Sequence, residues 1–288
     1  MAGVPTNRTN ISLPPDVAAE ILAKTQEASA VMSLARQIQL PGRGVSIPVI
    51  TADPEAAWVG ETAAKPVANP TLGTKVMEPY KLAVIVPFSN EFRRDAAALY
   101  DELVRRLPLA LAQKFDATVV GAVQAPGSNF DTFAAATAQN ITNPNTYSSL
   151  VAADADIATH GGIMNGIALS PQGKSVLLGA VDGDSRPLFI NNVSEGAVPM
   201  VLGAKTVMNK GIYDGTNHVV GIAGDWSQAM YGTVEGVVID YSSDATLTSG
   251  NTTINLFQQN MFAVRAEIEI GFRADTNCFN KLTTPYSA

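Results

Sequence analysis

The sequence has little charge, little histidine and almost no cysteine. Only 16% of its 288 residues are charged, whereas about a quarter of the residues in an average soluble domain are charged. Its single cysteine, Cys278, cannot form an internal disulfide, so a reducing compartment is expected. The net charge of -7 argues against a general nucleic-acid binder, because such a protein would carry a basic surface.

The sequence also lacks the apolar segments of a membrane-spanning helix and of a signal peptide. Although 46% of the residues are hydrophobic, the longest apolar run is Leu82 to Phe88, far short of the roughly 20 residues that a spanning helix needs. Residues 1–8 lack the apolar core of a signal peptide. An apolar chain with few charges that lies outside lipid is expected to bury its surface against other protein subunits.

No enzyme motif is complete. A Gly-Lys-Ser run at residues 173–175 resembles the end of a phosphate-binding loop, but Ala168 stands where that loop needs a glycine. His160 and His218 have no His, Cys or Glu at metal-ligand spacing, and Cys278 has no nearby histidine in the sequence. We therefore expect no catalytic, metal or cofactor-binding site, and no enzymatic activity.

The N-terminal third predicts an arm, a helix and a long hairpin. Residues 1–15 are polar and predict an extended arm, and Asp16 to Arg36 has helical composition. Val45 to Thr51 and Lys75 to Phe88 have the pattern of strands. The about 22 residues between them exceed the usual upper length of a structureless loop, about 12–15 residues, so we expect a protruding hairpin arm with a long tip.

Trp58 lies on that tip and leaves two interpretations open. An exposed tryptophan on an arm is a candidate interface anchor. Alternatively, the arm folds back and Trp58 packs on its own domain. The pattern alone favours neither interpretation.

A long helix is predicted from Ser89 or Asn90 to about Val123, with Pro108 expected to kink it. About 34 helical residues would span about 50 Å, which is longer than a small domain is wide. Residues 125–146 are rich in Pro, Gly, Asn and Thr and are interpreted as a boundary. Short helices and strands follow and predict a small α/β lobe.

The last part of the sequence is predicted to be β-structure. Thr233 to Ser242 is interpreted as one strand, and Met261 to Phe272 has the clearest alternation in the chain. Its apolar face consists of Val264, Ala266, Ile268, Ile270 and Phe272. Its charged face consists of Arg265, Glu267, Glu269 and Arg273. We expect the first face to meet a core and the second to be a charged ladder.

Four segments are distinctive in their residues and their order. They are residues 58–61, Trp-Val-Gly-Glu; residues 87–95, Pro-Phe-Ser-Asn-Glu-Phe-Arg-Arg-Asp; residues 224–227, Gly-Asp-Trp-Ser; and residues 255–266. Together they resemble segments of the tailed-phage major capsid proteins of the Hong Kong 97-type fold. The first looks like the tip of the family's extended loop, and the second is similar to the start of its spine helix. The third resembles the return from the axial lobe, and the fourth looks like the final strand of the peripheral domain.

The resemblance implies an α+β fold with an N-arm, an extended β-hairpin loop, a peripheral domain with a long spine helix, and an axial α/β domain. The implied units are residues 1–40, N-arm and short helix; 41–88, extended loop; 89–125, spine helix; 126–225, axial domain; and 226–288, C-terminal strands of the peripheral domain. Copies would assemble as hexamers and pentamers of an icosahedral shell.

The implied function is structural. The shell would enclose double-stranded DNA without sequence-specific binding, as part of a virion that is assembled in the host bacterial cytoplasm. No cofactor and no membrane are implied. Portal, decoration and separate scaffolding proteins are the expected partners. Because Met1 leads directly into the arm, we expect scaffolding to be separate or unnecessary.

The arm is predicted to bind the next subunit. Trp58 would bury there, and Glu61 would pair with a cation such as Arg93 or Arg94 of the spine helix. The full set of expected inter-subunit contacts is Trp58, Glu61, Lys65, Glu91, Arg93 and Arg94. Some family members form Lys–Asn isopeptide bonds. Lys65 and Lys75 lie on the arm, but nothing in the sequence selects their partners, so we do not expect covalent cross-links.

Two alternatives stay open at this point. An encapsulin nanocompartment shares the fold and would hold a cargo peptide instead of a genome. A cytosolic α/β enzyme would need a site that the sequence does not show. Sedimentation distinguishes a shell from an enzyme, because a shell gives a megadalton particle and an enzyme gives a stable small species.

Overall fold

A computed structural model describes residues 15–52, 58–59, 71–91, 96–142, 144–182, 184, 186–188, 200–250 and 252–284. Within these ranges the chain is mixed α and β. The helices are α1 Pro15–Ala28, α2 Ala30–Leu34, α3 Ala96–Val120, α4 Thr146–Thr159 and α5 Pro171–Leu178.

Most strands are short, and one is long enough to organise a sheet. In the first half of the chain they are β1 Arg36–Gln39, β2 Val45–Ala52, β3 Thr71–Met77, β4 Tyr80–Ser89, β5 Thr137–Asn140 and β6 Gly166–Leu169. In the second half they are β7 Met200–Val201, β8 Ala204–Met208, β9 Val219–Gly224, β10 Ala229–Thr233, β11 Val238–Ser242, β12 Thr246–Ser249, β13 Thr252–Asn255, β14 Met261–Ala274 and β15 Phe279–Thr283.

The first predicted helix is divided in the structure. It is interrupted at Ser29, whose backbone is extended (φ -83°, ψ 126°) and whose side chain accepts a hydrogen bond from the Met32 N–H. This cap starts α2 as a separate helix. Arg36 then begins the strand β1, which pairs in parallel with β10, so the predicted helical end at Arg36 was wrong.

The long helix α3 was predicted to start at Ser89 or Asn90. Instead, Ser89 ends β4, Asn90 and Glu91 form a turn, and the helix is described from Ala96. It continues through Pro108 to Val120. Its buried side chains recur at four-residue spacing, as Leu107, Leu111, Phe115 and Val119. Such a stripe faces a core along the helix.

The five-stranded sheet is built around β14. This strand pairs antiparallel with β4 over ten residues, from Met261 opposite Ser89 to Ile270 opposite Tyr80. It also pairs antiparallel with β10 and β11. The predicted single strand from Thr233 to Ser242 is therefore two strands. Likewise, Pro79 separates β3 from β4 in the region that was predicted to be one extended segment.

The six-stranded sheet forms the lobe, in the order β5-β15-β9-β6-β8-β7. The predicted boundary at residues 125–146 supplies β5 to this sheet. The last strand, β15, also lies here rather than beside β14, which departs from the predicted 226–288 unit. The direction changes at the turn Thr276–Cys278, which Asp275 caps by accepting a hydrogen bond from the Asn277 N–H.

An aromatic cluster packs between the two sheets and α3. Phe133 contacts the rings of Trp226, Phe272 and Phe279 at centroid distances of 5.9, 5.7 and 4.5 Å. Phe272 also meets Phe115 of α3 at 6.1 Å. This shared core fixes the lobe relative to the sheet that carries the hairpin. No helix of the described ranges is long and apolar enough to cross a membrane.

Candidate assembly surfaces

The hairpin arm presents an exposed tryptophan. Strands β2 and β3 pair antiparallel from Val45 opposite Met77 toward the tip. Trp58, on the tip, has a relative exposure of 105%, and Val59 is also exposed. No described residue covers the indole, so the interpretation in which Trp58 packs on its own domain finds no support here.

Of the other predicted inter-subunit contact residues, the structure describes only one. Glu61, Lys65, Arg93 and Arg94 lie outside the described residues, so their pairing stays a prediction. Glu91 is exposed in the turn after β4. The neighbouring Asn90 fixes that turn, because its N–H and Nδ2 donate to the main-chain and side-chain oxygens of Asn260 at 3.0 and 2.8 Å.

The root of the arm is tied to the end of β14 by Arg273. Its guanidinium donates to Asp131 Oδ1 at 2.8 Å and to Asn129 Oδ1 at 2.7 Å. Nε of the same group donates to the backbone carbonyl of Val76 on β3 at 2.7 Å. One buried cation therefore connects the arm, the sheet and the segment that follows α3.

Lys75 strengthens the same junction from the arm side. Its Nζ donates to the Ala274 carbonyl at 3.0 Å and lies 3.8 Å from Asp131 Oδ2. Asp131 Oδ2 also accepts from the Ala274 N–H at 3.1 Å. The arm therefore leaves the body at an angle that several hydrogen bonds define.

The position of Arg273 corrects the prediction of an exposed charged face. By alternation it shares a face with Arg265, but it is only 8% exposed, because the arm root crosses the end of β14. A signal for this crossing existed in the sequence. Gly271 lies inside the strand, and a Cβ there would meet the Glu78 carbonyl oxygen at 2.7 Å. A glycine within a strand is typical of such a close backbone approach.

The rest of that face is the predicted ladder. Lys81 of β4 bridges Glu267 and Glu269 at 2.9 and 3.3 Å. Arg265 binds Asp240 of β11 and lies 3.7 Å from Glu267. The hydrogen bond from Lys81 lowers the pKa of Glu267 below its ordinary value. With two cations and three anions alternating across three strands, this face is solvated and almost neutral.

The opposite face of β14 is buried, as predicted. Val264, Ala266, Ile268, Ile270 and Phe272 are each at most 3% exposed.

The return from the lobe is held by Asp225 and Trp226. Trp226 is buried and donates from Nε1 to the Gly166 carbonyl at 2.9 Å. Burial alone would raise the pKa of Asp225, but hydrogen bonds from Ser227, Ile163 and Asn165 leave that pKa below its ordinary value. The turn therefore contains an ionised carboxylate that joins β9 to the α4–β6 connection.

Exposed apolar side chains extend beyond the arm. The most exposed are Phe257 at 79% and Ile163 at 77%, followed by Met200 at 60% and Tyr147 at 51%. Phe257 precedes β14, whereas the other three belong to the lobe. Apolar groups of this size in water are typical of surfaces that meet other proteins.

The described residues contain no cluster of His, Cys, Asp and Glu that could hold a metal ion. Cys278 is buried, and its Sγ–H donates to the main-chain carbonyl of His160 at 3.7 Å. Burial raises the pKa of its thiol, and the carboxylates of Asp275 and Asp225 raise it further. Residues 173–175 lie within α5, where Ser170 caps the helix by accepting from the Gly173 N–H. None of these groups forms a catalytic arrangement.

The fold is the Hong Kong 97-type fold of tailed-phage capsids. A solved structure from Microbacterium phage Oxtober96 matches it with a TM-score of 0.72 at 20% identity, over 99% of this chain and 95% of that one. A structure from Gordonia phage Cozz matches with a TM-score of 0.70 at 21% identity, over 90% and 87%. At these identities the likeness shows the fold alone.

The sequence comparison shows the family. The family described as "Phage capsid family" matches residues 10–280, and the chain belongs to that family. It is 30% identical to the "Probable major capsid protein gp17" of Mycobacterium phage L5, over 94% of this chain and 89% of that protein. It is thus a structural protein of a phage capsid.

Proposed function

We propose that copies of this chain form the hexamers and pentamers of an icosahedral shell, with the hairpin arm as the connector between neighbours. The observation that carries the proposal is Trp58, a fully exposed indole on an arm whose root is fixed. An indole buries about 150–250 Å². At about 25 cal/mol per Å², its burial is worth roughly 4–6 kcal/mol before ordering costs.

Many such contacts act together in a closed shell. Closed symmetry makes each copy both donor and acceptor of an arm, so a weak contact is multiplied around the particle. Lys75 and Arg273 support this use of the arm, because a fixed root lowers the entropy that binding must overcome. Glu61 is proposed to pair with Arg93 or Arg94 of the neighbouring copy.

The predicted units are proposed with two changes. Residues 41–79 form the extended loop, since β4, the rest of the predicted 41–88 unit, belongs to the sheet around β14. Residues 89–125 contain the spine helix, and 126–225 form most of the axial lobe, to which β15 adds one strand. The axial lobes are proposed to meet at the capsomer centre through exposed apolar side chains such as Ile163 and Met200.

The shell is proposed to enclose double-stranded DNA without binding it tightly. The net charge is -7, and the solvated ladder on β14 alternates in sign instead of forming a basic patch. A wall of this kind neutralises few phosphates, so DNA can move along it. We propose that assembly takes place in the bacterial cytoplasm with separate scaffolding and portal proteins. Phage relatives in the same family favour this reading over an encapsulin compartment.

The test compares particle formation by three proteins: the wild type, Trp58→Ala and the matched control Trp58→Phe. We expect shells from the wild type and from Trp58→Phe, and only small species from Trp58→Ala, by sedimentation and negative-stain electron microscopy. Thermal melting should be the same for all three, because none of the residues that the structure describes covers the Trp58 side chain. Normal shells from Trp58→Ala would exclude the arm as the connector. A small monomeric wild type would exclude shell formation itself.

DNA binding by the unassembled subunit is a separate test. We expect weak binding that changes little with salt concentration. Tight binding that falls steeply with salt would contradict the proposed DNA-neutral wall.

A further inference from the structure

A carboxylate is completely buried where the N-terminal helices meet the long helix. Asp116 of α3 has 0% exposure. Its Oδ1 accepts from Ser29 Oγ at 2.5 Å and from the Val31 N–H at 3.3 Å, and its Oδ2 accepts from the Ala30 N–H at 2.9 Å. All three donors belong to the break between α1 and α2. A side chain near the C-terminal end of α3 therefore caps the start of α2.

The lobe holds the same break from its other side. Nδ2 of Asn209 donates to the Ala28 carbonyl at 2.6 Å, and its Oδ1 accepts from the Gly211 N–H. Gly211 lies directly on α3, since a Cβ there would meet the Gln113 carbonyl oxygen at 2.5 Å and Asp116 Cβ at 3.1 Å. The N-terminal helices, the long helix and the lobe thus meet at one point, which we call the Asp116 junction.

No described ion pair includes Asp116. Among the described side chains, the other charged groups on the elements packed around it are Lys24 and Glu27 of α1, Arg105, Arg106 and Lys114 of α3, and Lys210 of the turn next to Gly211, and all six are exposed. The helix α2 carries no titratable side chain. The carboxylate is stabilised by hydrogen bonds alone, and burial of a charge without a cation is unfavourable.

Both protonation states fit the geometry of the closed junction. When ionised, Asp116 accepts all three donors. When protonated, it can donate from Oδ1 to Ser29 Oγ, while Oδ1 and Oδ2 still accept from the Val31 and Ala30 amides. Protonation therefore removes the buried charge without breaking the cap.

We propose that the Asp116 junction is a proton-controlled latch, which holds α1 and α2 against α3 when Asp116 is protonated and loosens when it is ionised. In the open state water solvates the carboxylate, so its ionised form carries no desolvation penalty there. The latch thus sets how firmly the N-terminal segment is attached to the body of the subunit. The inference does not depend on the proposed shell, because it concerns contacts within one chain.

The sign of the pH dependence follows from the burial. Burial raises the pKa of Asp116 to about 7, against the opposing hydrogen bonds from Ser29, Ala30 and Val31. In the open state the pKa returns to the ordinary value of 3.8. Between these values the closed state holds a proton that the open state lacks, so opening becomes more favourable as the pH rises and levels off above about pH 7. From pH 5.5 to 7.5 the opening constant should rise about 20-fold.

Hydrogen–deuterium exchange on the full-length protein measures this opening directly. Exchange of the backbone amides of Ala30 and Val31 is followed at pH 5.5 and 7.5 and corrected for the intrinsic pH dependence of exchange. An internal segment of β14 serves as the reference. We expect about a 20-fold loss of protection at the junction in the wild type and less than a twofold change in Asp116→Asn. Equal pH responses of the two proteins, or a flat wild type, would overturn the latch.

A second pair of variants tests the proposal even if Asp116→Asn does not fold. Ser29→Ala removes a hydrogen bond that is stronger when Asp116 is ionised than when it is protonated, so the midpoint of the pH response should move to higher pH. Ser29→Thr keeps the hydroxyl and should keep the wild-type midpoint. A purely structural cap would change protection equally at every pH and leave the midpoint in place. That result would also overturn the proposal.

Discussion

Arg273 and Asp131 form an ion pair of 2.8 Å at the root of the hairpin arm. Arg273 lies eight positions after Arg265, on the same face of the strand β14. Strand alternation places both arginine side chains on one face of β14, but their surroundings differ. The side chain of Arg273 is 10% exposed, whereas that of Arg265 is 48% exposed. They therefore form a natural pair for comparing a buried charge with a surface charge.

Removal of Arg273 should destabilise the protein strongly. Arg273→Ala leaves Asp131 and the Val76 carbonyl without their main donor, and the loss of one partner of a buried pair costs about 3–5 kcal/mol. Arg265→Ala removes only surface pairs with Asp240 and Glu267 and should cost less than about 1 kcal/mol. Urea denaturation of the two variants measures both values. Similar losses would mean that the arm root is not held by Arg273.

Asp225 predicts an acid-sensitive component of stability. Because its pKa in the folded protein lies below the ordinary 3.8, it contributes stability at higher pH, and this contribution is lost as the pH falls through the folded value. Asp225→Asn replaces one of the two acceptor oxygens by an NH2 group, so either the Ile163 or the Ser227 amide loses its acceptor, and the change should cost about 1–3 kcal/mol at neutral pH. Below about pH 4 its stability should fall less steeply than that of the wild type.

Thermal melts across this pH range test the Asp225 prediction. Asp154→Asn is the matched control, because Asp154 is exposed on α4. This control should follow the wild type at every pH. An unchanged acid response in Asp225→Asn would show that the turn does not contain the ionised carboxylate.

The periodicity of the sequence predicted which side chains are buried when one packed layer covers a whole face. It missed a side chain that is buried by a segment far away in the sequence. The apolar face of β14 follows from alternation alone, because α1 and α3 cover one side of the sheet. Arg273 does not, because its burial comes from the arm root, which is nearly 200 residues away in the chain.

Asp116 could have been found from its place in the helix. It lies four residues after Ala112 and four before Val120, and both of these apolar side chains are buried. An acidic residue within such a stripe indicates a buried cap or a partner. Its donors at Ser29 to Val31 could not have been predicted, because the break between α1 and α2 looks like continuous helix in the sequence.

Gly211 should not tolerate a side chain. In Gly211→Ala the new Cβ would lie 2.5 Å from the Gln113 carbonyl oxygen, so the turn would have to move away from α3. Overpacking of this kind costs about 1–3 kcal/mol. Gly179→Ala is the control, because Gly179 ends α5 with helical angles (φ -83°, ψ -3°) and its nearest neighbour to a new Cβ is 3.4 Å away. Chemical denaturation should show a loss only in the first variant, and equal stabilities would contradict the close packing.

The two tryptophans should respond differently to assembly. Trp58 is exposed in the single chain, whereas Trp226 is buried at 2% exposure and hydrogen-bonded to Gly166. If the arm binds a neighbour, acrylamide should quench Trp58 efficiently in unassembled protein and poorly in sedimented particles. Trp58→Phe, which leaves only Trp226, should resist quenching in both fractions, so the difference between the two proteins isolates the arm. Because the fold already shields Trp226, a loss of quenching on assembly reports burial of Trp58. Equal quenching of Trp58 in both fractions would show that assembly leaves the arm tip in water.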